Sequence, residues 1–282
     1  MILFNHRLYK SALNLKSIIQ NFYIFMKKIP LSVFIITKNE ADRLSAVIEA
    51  VKQIADEIIV IDSGSTDKTC AIASDAGAKV IFNQWNGYGQ QKIFGENQCH
   101  NKWILNIDAD EEVSPELTLE LVELFNKNLH QQFHGFRVKI VNKFRGEKKP
   151  HRFAYYYNQL RLYNRDFGGF KNSAIHDSVE MKGAAQIGQL KNIIYHQSFR
   201  SFEHWIEKIN SYSSMQAKDS FAKGKKPSIL KMIFAPILAF FKAYFVRRYC
   251  IYGFKGIGYS LLFAFSRFAK AVKTRELFQN KF

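Results

Sequence analysis

The chain has 282 residues, 47% hydrophobic and 15% aromatic, which is enough to bury a sizeable core and excludes a mainly disordered protein. Three cysteines, Cys70, Cys99 and Cys250, lack the number and spacing of a disulfide framework or a thiolate metal site, and so point to a reducing compartment. The net charge of +17 sits at the ends: residues 1–29 hold five basic groups and no acid, residues 223–282 hold thirteen against one acid, and residues 30–222 balance to zero.

The N-terminal arm has no small-residue cleavage site and no continuous apolar stretch, so it does not read as a secretory signal. The run MKKIPLSVFIITKNE from Met26 is a natural opening for a folded domain; the preceding residues are expected to lie upstream of the true start or to form a dispensable amphipathic helix. Leu31–Thr37 is short, nearly all apolar and β-branched, the pattern of a strand buried on both faces. Leu44, Val47, Ile48, Val51 and Ile54 then share one helical face. Glu57–Ile61 predicts a second buried strand, Asp67–Ala76 a second helix, and Lys79–Phe82 a third strand followed by the glycine-containing loop NQWNGYG. Trp103–Ile107 predicts a fourth strand, after which Ser114 caps a helix with Pro115 at its first position. Helices alternating with buried strands imply a mostly parallel sheet with right-handed crossovers, an α/β, Rossmann-like body.

From His134 to His196 the pattern changes to alternating, aromatic strands and loops, and at least two rings of Phe153-Ala154-Tyr155-Tyr156-Tyr157 are expected in the core. Ser201 starts a long helix carrying Trp205, Ile209, Tyr212 and Met215, with Gly224 as its stop. The tail is both basic and apolar. Its longest uncharged runs, Met232–Phe241 and Gly256–Ser266, have ten and eleven residues. As helices they reach roughly 15 Å, about half of a bilayer's hydrocarbon core, so neither is expected to span. Lys242, Arg247, Arg248 and Lys255 interrupt the apolar stretches at intervals that suit amphipathic helices lying on an anionic membrane surface. The expected division is an arm over residues 1–29, a body over 30–222 and a tail over 223–282.

In an open parallel sheet, ligands bind beyond the carboxyl ends of the strands. Three of those ends carry unusual polar sequences here: Thr37-Lys38-Asn39-Glu40, Asp62-Ser63-Gly64-Ser65-Thr66-Asp67 and Asp108-Ala109-Asp110-Glu111-Glu112. No GxGxxG follows the first strand and there is no P-loop, which argues against a dinucleotide oxidoreductase or a P-loop enzyme. Carboxylates converging on a crevice suit a divalent cation and the hydroxyls of a sugar.

The segments FIITKNE, IVIDSGSTDKT and LNIDADEE, in that order, resemble the family 2 inverting glycosyltransferases of GT-A fold. WNGYGQQK, LRLYNR, AIHDSVE and HQSFRSFEHWIEKINSYSSMQA are similar to the lipopolysaccharide or lipooligosaccharide core glucosyltransferases within that family. The resemblance covers roughly residues 30–260 and implies a GT-A body with a C-terminal amphipathic helical tail. It implies that Thr37, Asn39 and Glu40 line the base and ribose pocket, that Asp62 holds the uracil or ribose, and that Asp108 touches the ribose or donor sugar. It also implies Asp110 as ligand to Mg²⁺ or Mn²⁺, with His176 as a further metal ligand. Asp177 would be the general base, where relatives usually carry Glu. Lys92 and Arg161 would face the diphosphate or sugar. The chemistry asks for such groups: inverting transfer needs a base for the acceptor hydroxyl and a cation for the departing diphosphate.

The expected partners are a UDP-hexose donor, a lipid-linked core oligosaccharide acceptor and an anionic membrane surface, with the protein peripheral on the cytoplasmic side of the inner membrane. A polyprenyl phosphate, capsular or exopolysaccharide acceptor is the alternative within the family. A non-enzymatic membrane- or nucleic-acid-binding protein is the alternative outside it; the neutral body and the absence of a nucleic-acid motif weigh against nucleic acid.

Overall fold

The first strand, β1 (Ile29–Thr37), is buried at every position from Leu31 to Thr37, as its unbroken apolar run demands. It is the centre of a parallel group with β2 (Ala55–Asp62), β3 (Lys79–Phe82) and β4 (Trp103–Asp108), arranged β3-β2-β1-β4. This is a computed structural model, and it describes residues 28–144, 146–171 and 178–279. Almost all of the basic arm expected over residues 1–29 lies outside them.

Helix α1 (Leu44–Lys52) buries Leu44, Val47, Ile48 and Val51, the face expected from the apolar spacing. Helix α2 (Thr69–Asp75) follows β2, and α4 (Pro115–Asn126) starts where Ser114 accepts a hydrogen bond from the Leu117 amide. Between them stands α3 (Tyr88–Gln98), which begins inside the expected loop. Its buried face is Gly89, Gln91, Lys92, Gly95 and Glu96, so it lacks the apolar periodicity that betrays α1. Gly95 lets α3 close on the sheet: a Cβ there would stand 2.6 Å from the Phe34 ring.

Six further strands follow among the described residues: β5 (Glu111–Val113), β6 (Gly135–Asn142), β7 (Tyr156–Asn164), β8 (Gly168–Phe170), β9 (Val179–Met181) and β10 (Ile187–His196). The main sheet has the order β3-β2-β1-β4-β7-β6-β10-β5, with β7 antiparallel to β4; β8 and β9 pair as an antiparallel ribbon. Phe34, Ile36, Ile59, Ile61, Ile104 and Tyr163 form a core cluster against which Phe94, Phe170, Val179 and Met181 pack. The FAYYY rings stay out of the core: Phe153 and Tyr156 are exposed, and Tyr155 and Tyr157 are half-buried.

The chain forms two compact units, one from the segment ending at Ile140 together with Asn158–Ile194, the other from Val141–Tyr157 together with the chain from Tyr195 onward. In the second unit α5 (Phe202–Ala222) and α6 (Ile229–Phe241) both pack on the 27-residue α7 (Gly253–Gln279). Ser201 caps α5, and Gly224, with φ +66°, follows its end. Phe144, Phe199 and Tyr259 form a cluster of nearly parallel rings, with centroids 5.1 Å (Phe144–Phe199), 4.4 Å (Phe144–Tyr259) and 5.5 Å (Phe199–Tyr259) apart. Helix α6 continues through Lys242 into a π-helical turn, Lys242–Val246. The 18 residues Ile229–Val246, of mean hydropathy 1.8, are by length and composition enough to cross a membrane. The helix outruns the uncharged stretch Met232–Phe241, because Lys231 and Lys242 interrupt the apolar sequence without interrupting the helix.

Two glycine substitutions should act in opposite directions. Gly258, on α7, has nothing within 4 Å of a Cβ position, so Gly258→Ala should stabilise by about 1 kcal/mol through helix propensity. Gly95→Ala must displace the fully buried Phe34 ring and should destabilise by about 1–3 kcal/mol. Denaturant unfolding of both variants checks the pair.

Candidate active site

The site follows from register. In the parallel pairing Thr37 stands beside Asp62 and Ile36 beside Asp108, so three polar strand ends emerge level at one edge of the sheet. The chain runs from β1 outward through β2 and β3, then returns to place β4 on the other side of β1. The order reverses at β1, which opens a crevice beyond the strand ends there.

The first two loops are laced together. Asn39, held at φ +56°, donates its amide to Ser65 Oγ (2.8 Å) and accepts from the Thr66 amide through Oδ1 (2.8 Å). The Glu40 amide donates to Thr69 Oγ1 (2.8 Å) and the Ala41 amide to Asp67 Oδ2 (3.2 Å). Asp62, buried at the end of β2, accepts from the amides of Gly64 (2.8 Å) and Ser65 (2.9 Å) and from the Ser65 hydroxyl (2.5 Å). Its carboxylate therefore shapes the loop that the resemblance assigns to the nucleotide. Buried Gln91 on α3 donates to Ser63 Oγ (3.0 Å) and accepts from Asn83 (2.8 Å), fixing the ends of β2 and β3. Thr37 Oγ1 is buried and has no hydrogen-bond partner among the described residues, a polar atom placed where the ligand crevice begins.

The third end is built around charge. Lys92, fully buried on α3, pairs with Asp108 Oδ1 at 2.9 Å. Arg161, buried on β7, donates to Asn106 (3.0 Å), to Asp108 Oδ2 (3.0 Å) and to Glu111 Oε1 (2.5 Å). Glu111 also accepts from the Asp108 amide (3.1 Å). Burial pushes the Asp108 carboxyl up, but the charges of Lys92 and Arg161 outweigh it and hold the group well below the usual carboxylate range, against a smaller opposing push from Asp110. Lys92 and Arg161 are thus engaged with Asp108, which keeps it ionised at any physiological pH. Asp110 is partly exposed, and Arg43 reaches it at 3.7 Å while also pairing with Glu40.

Two participants escape a reading by motif. Glu111 stands inside the acidic run but gives no signal of its own until β5 buries it against Arg161. Arg43 sits at the start of an ordinary amphipathic helix, where a basic residue is unremarked. His176 and Asp177, expected as metal ligand and base, lie outside the described residues.

Among the described residues no three His, Cys, Asp or Glu side chains form a preformed metal cage. The residues present do fit a hard divalent cation of another kind. Asp110 offers partly exposed carboxylate oxygen, the donor type Mg²⁺ and Mn²⁺ take, and such ions commonly complete their shell with substrate phosphates and water.

Residues 32–182 match the sequence profile of glycosyl transferase family 2. A glycosyltransferase of Rickettsia bellii is 46% identical over 90% of this chain and 88% of its own length. The lipopolysaccharide core biosynthesis glycosyltransferase LpsC of Rhizobium meliloti is 33% identical over 77% of this chain and 82% of its own. Among solved structures, glucosyl-3-phosphoglycerate synthase from Mycobacterium tuberculosis, in complex with Mn²⁺, UDP and glucosyl-3-phosphoglycerate, superposes with a TM-score of 0.32 and 24% identity, over 42% of this chain and 45% of that one. This chain belongs to glycosyl transferase family 2. It is a glycosyltransferase with a GT-A fold, a mostly parallel sheet flanked by helices, extended by a long C-terminal helix.

Replacing Arg161 by Met leaves Asp108 and Glu111 without their shared cation. Such a buried deletion should cost about 3–5 kcal/mol. The depressed Asp108 pKa contributes stability that is present above the ordinary carboxylate range and lost as pH falls through the lower folded value. Arg161→Met raises that folded value, so its acid unfolding should begin at higher pH. Unfolding followed by circular dichroism from neutral to acid pH checks both effects.

Proposed function

We propose that this glycosyltransferase moves a hexose, glucose from UDP-glucose in the first instance, with inversion onto the inner core of a lipid-linked lipopolysaccharide or lipooligosaccharide. The observation that carries the donor half is the level edge of Thr37, Asp62 and Asp108 at the sheet's switch point, with Asp110 one turn beyond. The similarity to LpsC supports the acceptor half.

In this reading Thr37, Asn39 and Glu40 border the base and ribose, and Asp62 holds the loop that closes over them. Lys92, Arg161 and Glu111 position Asp108 as a fixed anion that accepts hydrogen bonds from ribose or sugar hydroxyls. Asp110, with His176, would hold Mg²⁺ or Mn²⁺, which supplies a positive charge for the diphosphate as it leaves. Asp177 takes the proton from the acceptor hydroxyl during attack on the anomeric carbon. One base and no second carboxylate acting as nucleophile gives inversion. Residues 30–222 serve as the transferase body and 223–282 as a tail that rests on the anionic cytoplasmic face of the inner membrane. Ile233, Phe234 and Phe241 on α6, with Phe254 and Leu261 on α7, are exposed and support a lipid-facing surface.

The test is transfer of labelled glucose from UDP-glucose to truncated lipopolysaccharide with Mn²⁺ present. Wild type should label the acceptor. Asp177→Asn should lose at least about a hundredfold in rate while retaining UDP-glucose binding, as removal of a general base requires. Normal turnover in Asp177→Asn moves the base elsewhere, and transfer only to polyprenyl phosphate replaces the acceptor.

A further inference from the structure

The second unit holds two arginines that no carboxylate answers among the described residues, although Arg247 hydrogen-bonds to the Tyr249 hydroxyl. Arg247, just after the π-helical turn, places its guanidinium 4.2 Å from the centre of the Phe263 ring, with Tyr157 at 5.5 Å and Tyr155 at 5.6 Å. Arg267, one turn along α7, approaches the same Phe263 ring at 5.1 Å. Among the described residues neither makes an ion pair, and the Arg247 Nε is buried without a hydrogen-bond partner. Burial and the neighbouring Arg247 charge both lower the Arg267 pKa.

Aromatic faces attract cations, but they do not remove the repulsion between two guanidiniums that share one ring. A buried donor left unmade and two like charges held together are both costly. A bound oxyanion relieves both. We propose that Arg247 and Arg267 form a binding site for the phosphate group of an anionic amphiphile.

Three observations select that ligand class. Guanidinium forks match the several oxygens of a phosphate and bind it in paired hydrogen bonds. Arg267 is exposed, so a ligand can reach the pair from solvent or a lipid surface. The immediate neighbours are apolar and exposed: Phe245 and Val246 precede Arg247, and Phe265 and Phe268 flank Arg267. Phe268 also lines a groove of about 430 Å³ with Ile229, Met232, Ile233, Pro236 and Arg275, a mainly apolar channel fit for an acyl chain. A phosphate headed by the arginines with its chain along this surface satisfies all three. The site is independent of the donor chemistry proposed above.

The test is calorimetric titration of the full chain with dihexanoyl phosphatidic acid below its micelle concentration, with inorganic phosphate as the second probe. The expected result is saturable binding of the lipid, weaker binding of inorganic phosphate, and a loss of roughly tenfold or more in lipid affinity in Arg247→Met and in Arg267→Gln. Lys127→Gln, an exposed basic residue just after α4 in the first unit, should bind the lipid as wild type does. UDP-glucose titration of the same variants separates this site from the donor site. Equal lipid affinity in wild type and Arg267→Gln overturns the proposal, as does inorganic phosphate binding as tightly as the lipid, which would make the site one for free phosphate. Loss of UDP-glucose binding by a folded Arg267→Gln also overturns it, by placing the pair in the donor site. Should Arg247→Met fail to fold, the exposed Arg267→Gln decides alone.

Discussion

Asp108 is the constraint on which the rest of the site depends. A carboxylate at the end of a buried strand would normally take up a proton to escape the low dielectric. Here a fully buried lysine from α3 and a buried arginine from β7 hold it ionised, and Glu111 balances the arginine. Two elements far apart in sequence are thereby tied to β4. The antiparallel strand β7 must lie next to β4 to deliver Arg161, and α3 must close on the sheet at Gly95 to deliver Lys92. The mixed sheet order and the glycine-rich helix are both consequences of placing one permanent negative charge at a crevice.

The parallel half of the body was legible because burial on both faces leaves unbroken apolar runs. Leu31–Thr37, the Leu44 to Val51 face and the Ser114-Pro115 helix start all have sequence signatures of direct physical origin, and each corresponds to the element found. Helix α3 was not legible, since its inward face is glycine, glutamine, lysine and glutamate, residues that pattern reasoning assigns to a loop. Strand β5 was hidden for a related reason: three residues in an acidic run carry no strand signal until an edge pairing, with the Ser114 amide on the Ile193 carbonyl, defines them. Within the site, Thr37, Asn39, Asp62, Asp108 and Asp110 could be named from strand-end position. The partnership of Lys92 and Arg161 with Asp108 could not, because it exists only in three dimensions.

The second unit obeys a different logic. Its centre is aromatic, with Phe144 clustered against Phe199 and Tyr259, while its outward surface keeps large apolar side chains exposed. Basic residues interrupt those surfaces without breaking the helices, as the continuity of α6 through Lys242 illustrates. A count of uncharged residues stops at a lysine; helical hydrogen bonding does not.

Calorimetric titration of UDP-glucose and GDP-mannose into the purified protein, with and without Mn²⁺, tests the central claim most directly. On the proposed donor, the strand-end site should bind UDP-glucose more tightly than GDP-mannose, and markedly more tightly with the metal than without it. A folded protein that binds neither nucleotide sugar, or binds UDP-glucose equally well without a divalent cation, would contradict the account of the strand-end site.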